Sequence, residues 1–252
     1  MYAEYRRGGT TPSTWTQNFL ADGPLTRLRA RLLPAFRNNP CWREIRARLK
    51  PGQRVLDAGC GTGAWVSFLA GEGYQGVGLD YAGALIEGNR AQFPAQEWIE
   101  GAIQAIPLPD DSLDGVVSWG VIEHDEAGPK AALEEFFRVL KPGGWAFVTV
   151  PYDSPTHRRS SERQFGMRRD GREFFQYFFN EVELADEVRK VGFEVDRCFP
   201  CSRHFAVAMP GLHVRLETAP RPVRAVVGRA LDLYTRFDDD TINMVLAVAQ
   251  KP

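Results

Sequence analysis

The run Val55-Leu56-Asp57-Ala58-Gly59-Cys60-Gly61-Thr62-Gly63 constrains this chain more than any other stretch. A short apolar segment turns at once into glycines at every second position. A helical pattern in Trp65, Val66, Phe68 and Leu69 follows. Strand, tight glycine turn and helix open a βα unit with a ligand at the turn. Glycine suits such a turn because its backbone takes positive φ and leaves no Cβ between chain and ligand. The spacing is Gly-x-Gly-x-Gly, which differs from the Gly-x-Gly-x-x-Gly that seats a pyrophosphate on a helix N-terminus. A tight turn with no ligand is the lesser reading of this run, and the rest of the chain has to decide.

From Arg54 onward, strand and helix patterns alternate. Strands are expected at Arg54–Ala58, Gln75–Asp80, Glu97–Glu100, Leu113–Trp119 and Trp145–Pro151, with helices at Gly63–Gly71, Ala82–Gln92 and 129–140. The last of these carries Leu133, Phe136, Phe137 and Leu140 on one face, which reads as core, and Pro142-Gly143-Gly144 stops it. A further helix is expected at Asn180–Val191, with Asn180 as N-cap and Glu183 in the capping-box position. Phe193-Glu194-Val195 starts a sixth strand, and Met244–Val248 supplies a last one. Alternating β and α elements predict a parallel sheet with helices on both faces. Residues 1–50, with Leu25, Leu28, Leu32 and Leu33 at helical spacing, are expected to form a helical N-terminal cap. Residues 51–252 form the main domain, with insertions at about 152–179 and 204–240.

Composition narrows the class. A formal net charge of −1 gives no global case for a nucleic-acid binder. No apolar run approaches the ~20 residues of a membrane span, and residues 1–9 contain no apolar signal core. Four cysteines suit a reducing compartment, so a soluble cytoplasmic protein is expected. Cys198-Phe199-Pro200-Cys201 has metal spacing, but Cys41 is isolated and Cys60 belongs to the glycine turn, so no metal site is expected.

Asp80 gives the glycine turn its meaning. It stands 23 residues after Asp57, at the end of the second expected strand. A carboxylate there is placed to accept hydrogen bonds from both ribose hydroxyls of a bound nucleoside. NAD and S-adenosylmethionine share that geometry. The chain also carries Gly78-Leu79-Asp80, Ile106-Pro107-Leu108-Pro109-Asp110-Asp111-Ser112-Leu113-Asp114, Val121-Ile122-Glu123-His124 and Arg138-Val139-Leu140-Lys141-Pro142-Gly143-Gly144. With Val55–Gly63, and in this order, these segments resemble class I S-adenosylmethionine-dependent methyltransferases over about residues 50–150, plus the helix and strand at 180–199.

The resemblance implies a Rossmann-like three-layer α/β sandwich with a seven-stranded, mostly parallel sheet whose last strand is antiparallel. It implies S-adenosyl-L-methionine as cofactor, with Gly59, Cys60, Gly61 and Gly63 in the turn near its methionyl part. Asp57 would hold the amino end, Asp80 the ribose, and Tyr81 would lie beside the adenine. Trp119 would line the pocket near the sulfonium. The family usually has an Asp after the third strand to accept from the adenine amino group. Here that place reads Gly101-Ala102-Ile103, so backbone groups of Ala102 and Ile103 or the Gln104 side chain would substitute.

A methyl on sulfonium is already activated, so a base matters only when the acceptor must lose a proton. His124 follows the fourth strand at the edge where open α/β sheets bind ligands, and Tyr152 and His157 are the alternatives; His204 and His213 are weaker. No Asn/Asp-Pro-Pro-aromatic motif stands at Ser118-Trp119-Gly120-Val121, which argues against nucleobase methylation. Phe174-Phe175-Gln176-Tyr177-Phe178-Phe179 offers an aromatic lid. Arg158, Arg159, Arg163, Arg168, Arg169 and Arg172 offer an anion contact or merely a solvated surface. A small-molecule acceptor, methylated on oxygen, is the leading expectation. A cofactor-binding but inactive regulatory subunit is the alternative, with an NAD-dependent oxidoreductase behind it.

Overall fold

The computed structural model describes residues 1–6, 10–21, 39–159, 173–203, 223 and 242–252. In chain order the elements are β1 (Tyr2–Arg6), α1 (Pro12–Ala21), α2 (Pro40–Arg48), β2 (Arg54–Ala58), α3 (Ala64–Gly71), β3 (Gln75–Asp80), α4 (Gly83–Gln92) and β4 (Glu97–Glu100). They continue as β5 (Leu113–Trp119), a short 3-10 turn at Ile122–His124, α5 (Lys130–Val139), β6 (Leu140–Pro151), β7 (Glu173–Phe178), α6 (Glu181–Lys190), β8 (Glu194–Arg203) and β9 (Ile242–Gln250).

Seven strands form one sheet in the order β4-β3-β2-β5-β6-β9-β8. Neighbours from β4 to β6 pair in parallel, and β9 runs antiparallel to both β6 and β8. The sheet is the expected one. Its central strands carry apolar runs, such as Ala146–Val148 in β6 and Met244–Val248 in β9, because both faces are covered there. On one face Leu56, Val77, Leu113 and Val116 pack against Leu133 and Phe136 of α5 and Leu184 and Val188 of α6. On the other, Val55, Val117, Phe147 and Leu246 meet Trp42 and Ile45 of α2 and Phe68 and Leu69 of α3. The strand order reverses between β2 and β5, which opens a crevice at their C-terminal ends.

Local chemistry places the helices. Asn39 caps α2 by accepting from the Cys41 N–H at 2.8 Å, with Pro40 in the first turn. The Asn180–Glu183 capping box opens α6, with both of its hydrogen bonds formed. The helix expected to run to 140 ends at Val139, and β6 starts at Leu140, before the glycines. Leu140 takes extended backbone and pairs with Leu113, so sheet pairing claims the residue ahead of the turn.

The N-terminal cap is not wholly helical. Tyr2–Arg6 is a strand, antiparallel to β7 in a separate two-stranded ribbon with register Tyr2↔Phe178 and Arg6↔Glu173. Aromatic residues at Tyr2 and Tyr5 gain ring contacts with Phe178 and Phe174 across this pair, which an isolated helical turn would not give. The expected aromatic lid is therefore the second strand of a ribbon, burying Phe174, Gln176 and Phe178 on one face. A Tyr152–Phe179 bridge ties it to the end of β6. The leucine pattern at 25–33 and the insertion at 204–240, apart from Val223, lie outside the described residues. Among the described residues no helix is long and apolar enough to cross a membrane.

Candidate active site

The C-terminal ends of β2, β3, β4 and β5 surround a cavity of about 550 Å³. Gly59, Asp80, Tyr81, Ala102, Ile103, Trp119 and His124 all line it, which brings together seven of the residues singled out in the sequence. Asp57, Cys60, Gly61 and Gly63 lie in the wall behind. The Asp57 carboxyl is buried at the end of β2, and its Oδ1 has no hydrogen-bond partner among the described residues. Burial, and behind it the Asp80 charge, pushes this carboxyl up to about 8.

The Asp80 carboxylate organises the turn. Its Oδ2 accepts from the Gly61 N–H and its Oδ1 from the Ala82 N–H, both at 2.9 Å. Burial raises it, and those backbone donors oppose the shift. At Gly59 φ is +85°, and a Cβ there would stand 2.5 Å from a Val121 methyl carbon. At Gly63 φ is +72°, and a Cβ would stand 2.3 Å from the Trp98 ring. The glycine spacing is thus set by packing on two sides as well as by backbone angle. Cys60 is buried beneath the turn, packed with Val66, Ile86 and Trp98.

The far side of the cavity comes from segments distant in sequence. His124 Nδ1 lies 2.7 Å from the Phe175 carbonyl oxygen of β7. A carbonyl only accepts, so Nδ1 carries the proton and Nε2 the lone pair in the neutral ring. The ring is wedged edge-on between Trp15 of α1 at 4.9 Å and Phe175 at 5.0 Å. The Tyr81 hydroxyl donates to the Thr10 carbonyl at 3.0 Å, and the Trp15 side chain hydrogen-bonds the same hydroxyl. Burial and the Asp80 charge push that phenol up to about 12. The Trp119 ring stacks at 4.8 Å on Trp65, and its Nε1 has no partner among the described residues.

Two candidate bases stand elsewhere. The Tyr152 backbone is tied to Asn243 and to the Phe179 bridge, and neither Tyr152 nor His157 lines the cavity. His157 Nδ1 bonds the Tyr152 carbonyl at 2.8 Å, and its ring packs on Phe178 at 4.9 Å behind the ribbon. Burial lowers its basicity. Position in sequence just after β6 suggested reach to the cavity, but the β1–β7 ribbon holds both residues away from it. Arg158 is ion-paired with Asp153, and Arg163, Arg168, Arg169, Arg172, His204 and His213 lie outside the described residues.

Sequence reasoning missed Thr10, Thr11, Trp15, Asp125, Glu126 and Glu173. Only the cluster of aromatics near the N-terminus hinted at any of them. Cys198 and Cys201 lie on β8, with Cys201 in the same core cluster as Cys41 of α2. Among the described residues no three His, Cys, Asp or Glu side chains are grouped to hold a metal.

The residues fit S-adenosyl-L-methionine. The orphaned Asp57 Oδ1 would accept from the cofactor's amino group, and that cation would favour the charged carboxylate that burial disfavours. Asp80 lines the cavity with lone pairs left for a ribose, because Oδ2 accepts from Gly61 and Oδ1 from Ala82, one bond each. No acid stands at Ala102; the Gln104 Nε2 donates to Asp125 at 2.9 Å, which leaves the Gln104 Oε1 and backbone groups at 101–103 as the acceptors an adenine amino group would meet.

Comparison with known proteins agrees. The family model described as "Methyltransferase domain" matches residues 22–197. A probable S-adenosylmethionine-dependent methyltransferase of Mycolicibacterium smegmatis is 36% identical over 149 residues, covering 58% of this chain and 53% of that protein. The malonyl-[acyl-carrier protein] O-methyltransferase of Serratia marcescens is 37% identical over 94 residues, covering 37% of this chain and 36% of that one. The chain thus spans about half or less of the length of these curated relatives. Among solved structures, a TehB-like methyltransferase from Corynebacterium glutamicum superposes with TM-score 0.56 at 20% identity, covering 96% and 100% of the two chains. The [4+2]-cyclase SpnF superposes with TM-score 0.61 at 18% identity over 100% and 99%. These last two likenesses speak to the fold, and the cyclase shows that the fold serves more than one chemistry.

Proposed function

The chain belongs to the class I S-adenosylmethionine-dependent methyltransferase family, and from that premise we propose that it methylates a small-molecule acceptor on oxygen. The observation that carries the oxygen assignment is the Nδ1 bond of His124 to the Phe175 carbonyl at 2.7 Å. It leaves Nε2 as a base on a ring that lines the cavity. An amine already in its neutral form presents a lone pair without such help, whereas a hydroxyl must lose its proton.

The cofactor supplies an electrophilic methyl on positively charged sulfur. The chain's own part is to orient and to shield. Asp57 and Asp80 would fix the amino and ribose ends, and Trp119 with the β1–β7 ribbon would exclude water. His124 Nε2 would take the hydroxyl proton as the acceptor oxygen becomes a nucleophile. Acidic side chains at Asp125, Glu126 and Glu173 line the same cavity, which favours a neutral acceptor over an anionic one. We place the chain in the cytoplasm, a reading supported by its four free cysteines. Residues 51–252 would be the methyltransferase domain, with α2 from the preceding segment completing its core.

A cofactor-binding chain without turnover is the second reading, favoured by the missing acid at Ala102. The test is methyl transfer from radiolabelled cofactor to a panel of phenols, alcohols, amines and carboxylic acids. Label in an alkali-stable ether, reduced about 10²-fold or more by His124→Asn, supports the oxygen reading. Label on nitrogen, or transfer indifferent to His124, overturns it. A bound cofactor with no transfer to any class selects the second reading.

A further inference from the structure

The glycine turn is held from behind by a residue of α4 that the proposed mechanism does not use. Leu85, Ile86 and Asn89 are the buried residues of that helix, and Asn89 is 4% exposed. An apolar side chain is what such a face calls for, and asparagine is one of the weaker helix formers. Burying its amide is costly unless the amide is hydrogen-bonded. The bond it makes is to the turn, where Asn89 Nδ2 donates to the Gly61 carbonyl at 2.8 Å. Its amide carbon would stand 3.2 Å from a Cβ at Gly63, so the side chain also fills the space beside that glycine. The Cys60 sulfur lies 4.0 Å from both the Asn89 nitrogen and the Gly61 oxygen.

Gly61, buried and with φ +51°, is therefore gripped on both sides of its Cα. Asp80 Oδ2 holds the peptide before it by accepting from the Gly61 N–H, and Asn89 holds the peptide after it through the Gly61 carbonyl. Both side chains belong to one strand–helix unit, with Asn89 nine residues after Asp80. A glycine has no Cβ to limit its rotation, so these two bonds supply restraint that its own backbone lacks. We infer that Asn89 is a positioning residue for the cofactor. It fixes the Gly61–Thr62 peptide and, through Gly61, the orientation of the Asp80 carboxylate. That role rests on Asp80 receiving the ribose. Without the Asn89 donor, the Gly61–Thr62 peptide rotates more freely and a buried carbonyl is left a partner short. The turn then spends less time in the form that aims Asp80 at the ribose, and apparent cofactor affinity falls with that fraction.

The experiment measures S-adenosyl-L-methionine affinity in the wild-type chain, Asn89→Leu, Asp80→Ala and the double variant. Calorimetry serves the tight binders and ligand-observed NMR the weak ones, with a thermal melt of each protein to establish that it is folded. Leucine keeps the branched shape of asparagine and removes the donor. A positioning role predicts binding about 5- to 30-fold weaker in Asn89→Leu. In the Asp80→Ala background the same change should weaken binding by less than about 3-fold, because the group it acts through is gone. Wild-type affinity in a folded Asn89→Leu, or losses that multiply in full in the double variant, overturns the role while leaving the ribose assignment standing. Wild-type affinity in Asp80→Ala sinks the ribose assignment and the role of Asn89 with it. Should Asn89→Leu fail to fold, Asn89→Asp carries the test. Its carboxylate only accepts, whereas its protonated form donates again. Asp57 and Asp80 titrate in both proteins, so affinity is compared with wild type at each pH. That ratio should recover as pH falls, and a ratio flat across pH, as space-filling alone would give, overturns the role.

Discussion

The two walls of the cavity are built in opposite ways. The wall we assign to the cofactor is nearly one piece of sequence: β2, the glycine turn and the start of α3, joined 23 residues after Asp57 by Asp80. It is packed so closely that a Cβ at Gly59 or Gly63 would overlap a neighbouring side chain, and two carboxylates are held in it against their preference for water. The wall we propose for the acceptor is assembled from residues near 10–15, 119–126 and 173–174. These are joined by aromatic edges and by single hydrogen bonds to backbone carbonyls. A wall that must match one fixed ligand can be local and closely packed. One that meets a variable acceptor can be drawn from loops resting on the same scaffold.

This contrast predicts a brittle wall and a tolerant one. Gly59→Ala should be the most damaging change, because it combines positive φ with a 2.5 Å approach to Val121. It should cost about 2–5 kcal/mol of stability, read by denaturant unfolding. A variant of wild-type stability would show that the turn is slacker than its packing implies. Asp80→Ala removes the acceptor for the Gly61 and Ala82 N–H groups as well as the carboxylate we assign to the ribose. Cofactor affinity should fall about 30- to 150-fold, equivalent to about 2–3 kcal/mol.

Asp57→Asn sharpens the comparison through pH. The carboxyl titrates near 8 in the folded chain and near 4 unfolded, so between these values the folded state holds the extra proton. Stability of the cofactor-free protein from this group therefore falls as pH rises through that window. Asp57→Asn should remove that fall, gaining about 1–3 kcal/mol at mildly alkaline pH while weakening cofactor binding. A thermal melt across pH that is identical in both proteins would contradict the buried-acid account. Tyr81→Phe touches the seam between the walls, where the phenol donates to Thr10. Its effect should be the smallest, about 0.5–1.5 kcal/mol in unfolding experiments.

The same contrast explains what could be read from the chain alone. Strands β2 to β5, the capping box at Asn180 and the cofactor wall were legible because apolar runs, glycine spacing and one acid at a strand end are local signals. Trp15, Glu173 and the carbonyl of Phe175 were not, because their role depends on β1 pairing with β7 across more than 160 residues. Nothing in Tyr2–Arg6 by itself specifies that partner. His124 was found for its place after β5, yet its tautomer depends on the Phe175 carbonyl, which no spacing reveals. Tyr152 and His157 failed to reach the cavity for the complementary reason. The ribbon that holds them back was read as a lid of side chains, without its pairing strand.

The most direct test of the central claim is calorimetric titration of the chain with S-adenosyl-L-methionine, its demethylated product and NAD, repeated with Asp80→Ala. The account predicts micromolar binding of both sulfur compounds, no binding of NAD, and loss of affinity in the variant. Absence of binding by either sulfur compound, or tighter binding of NAD, would contradict it.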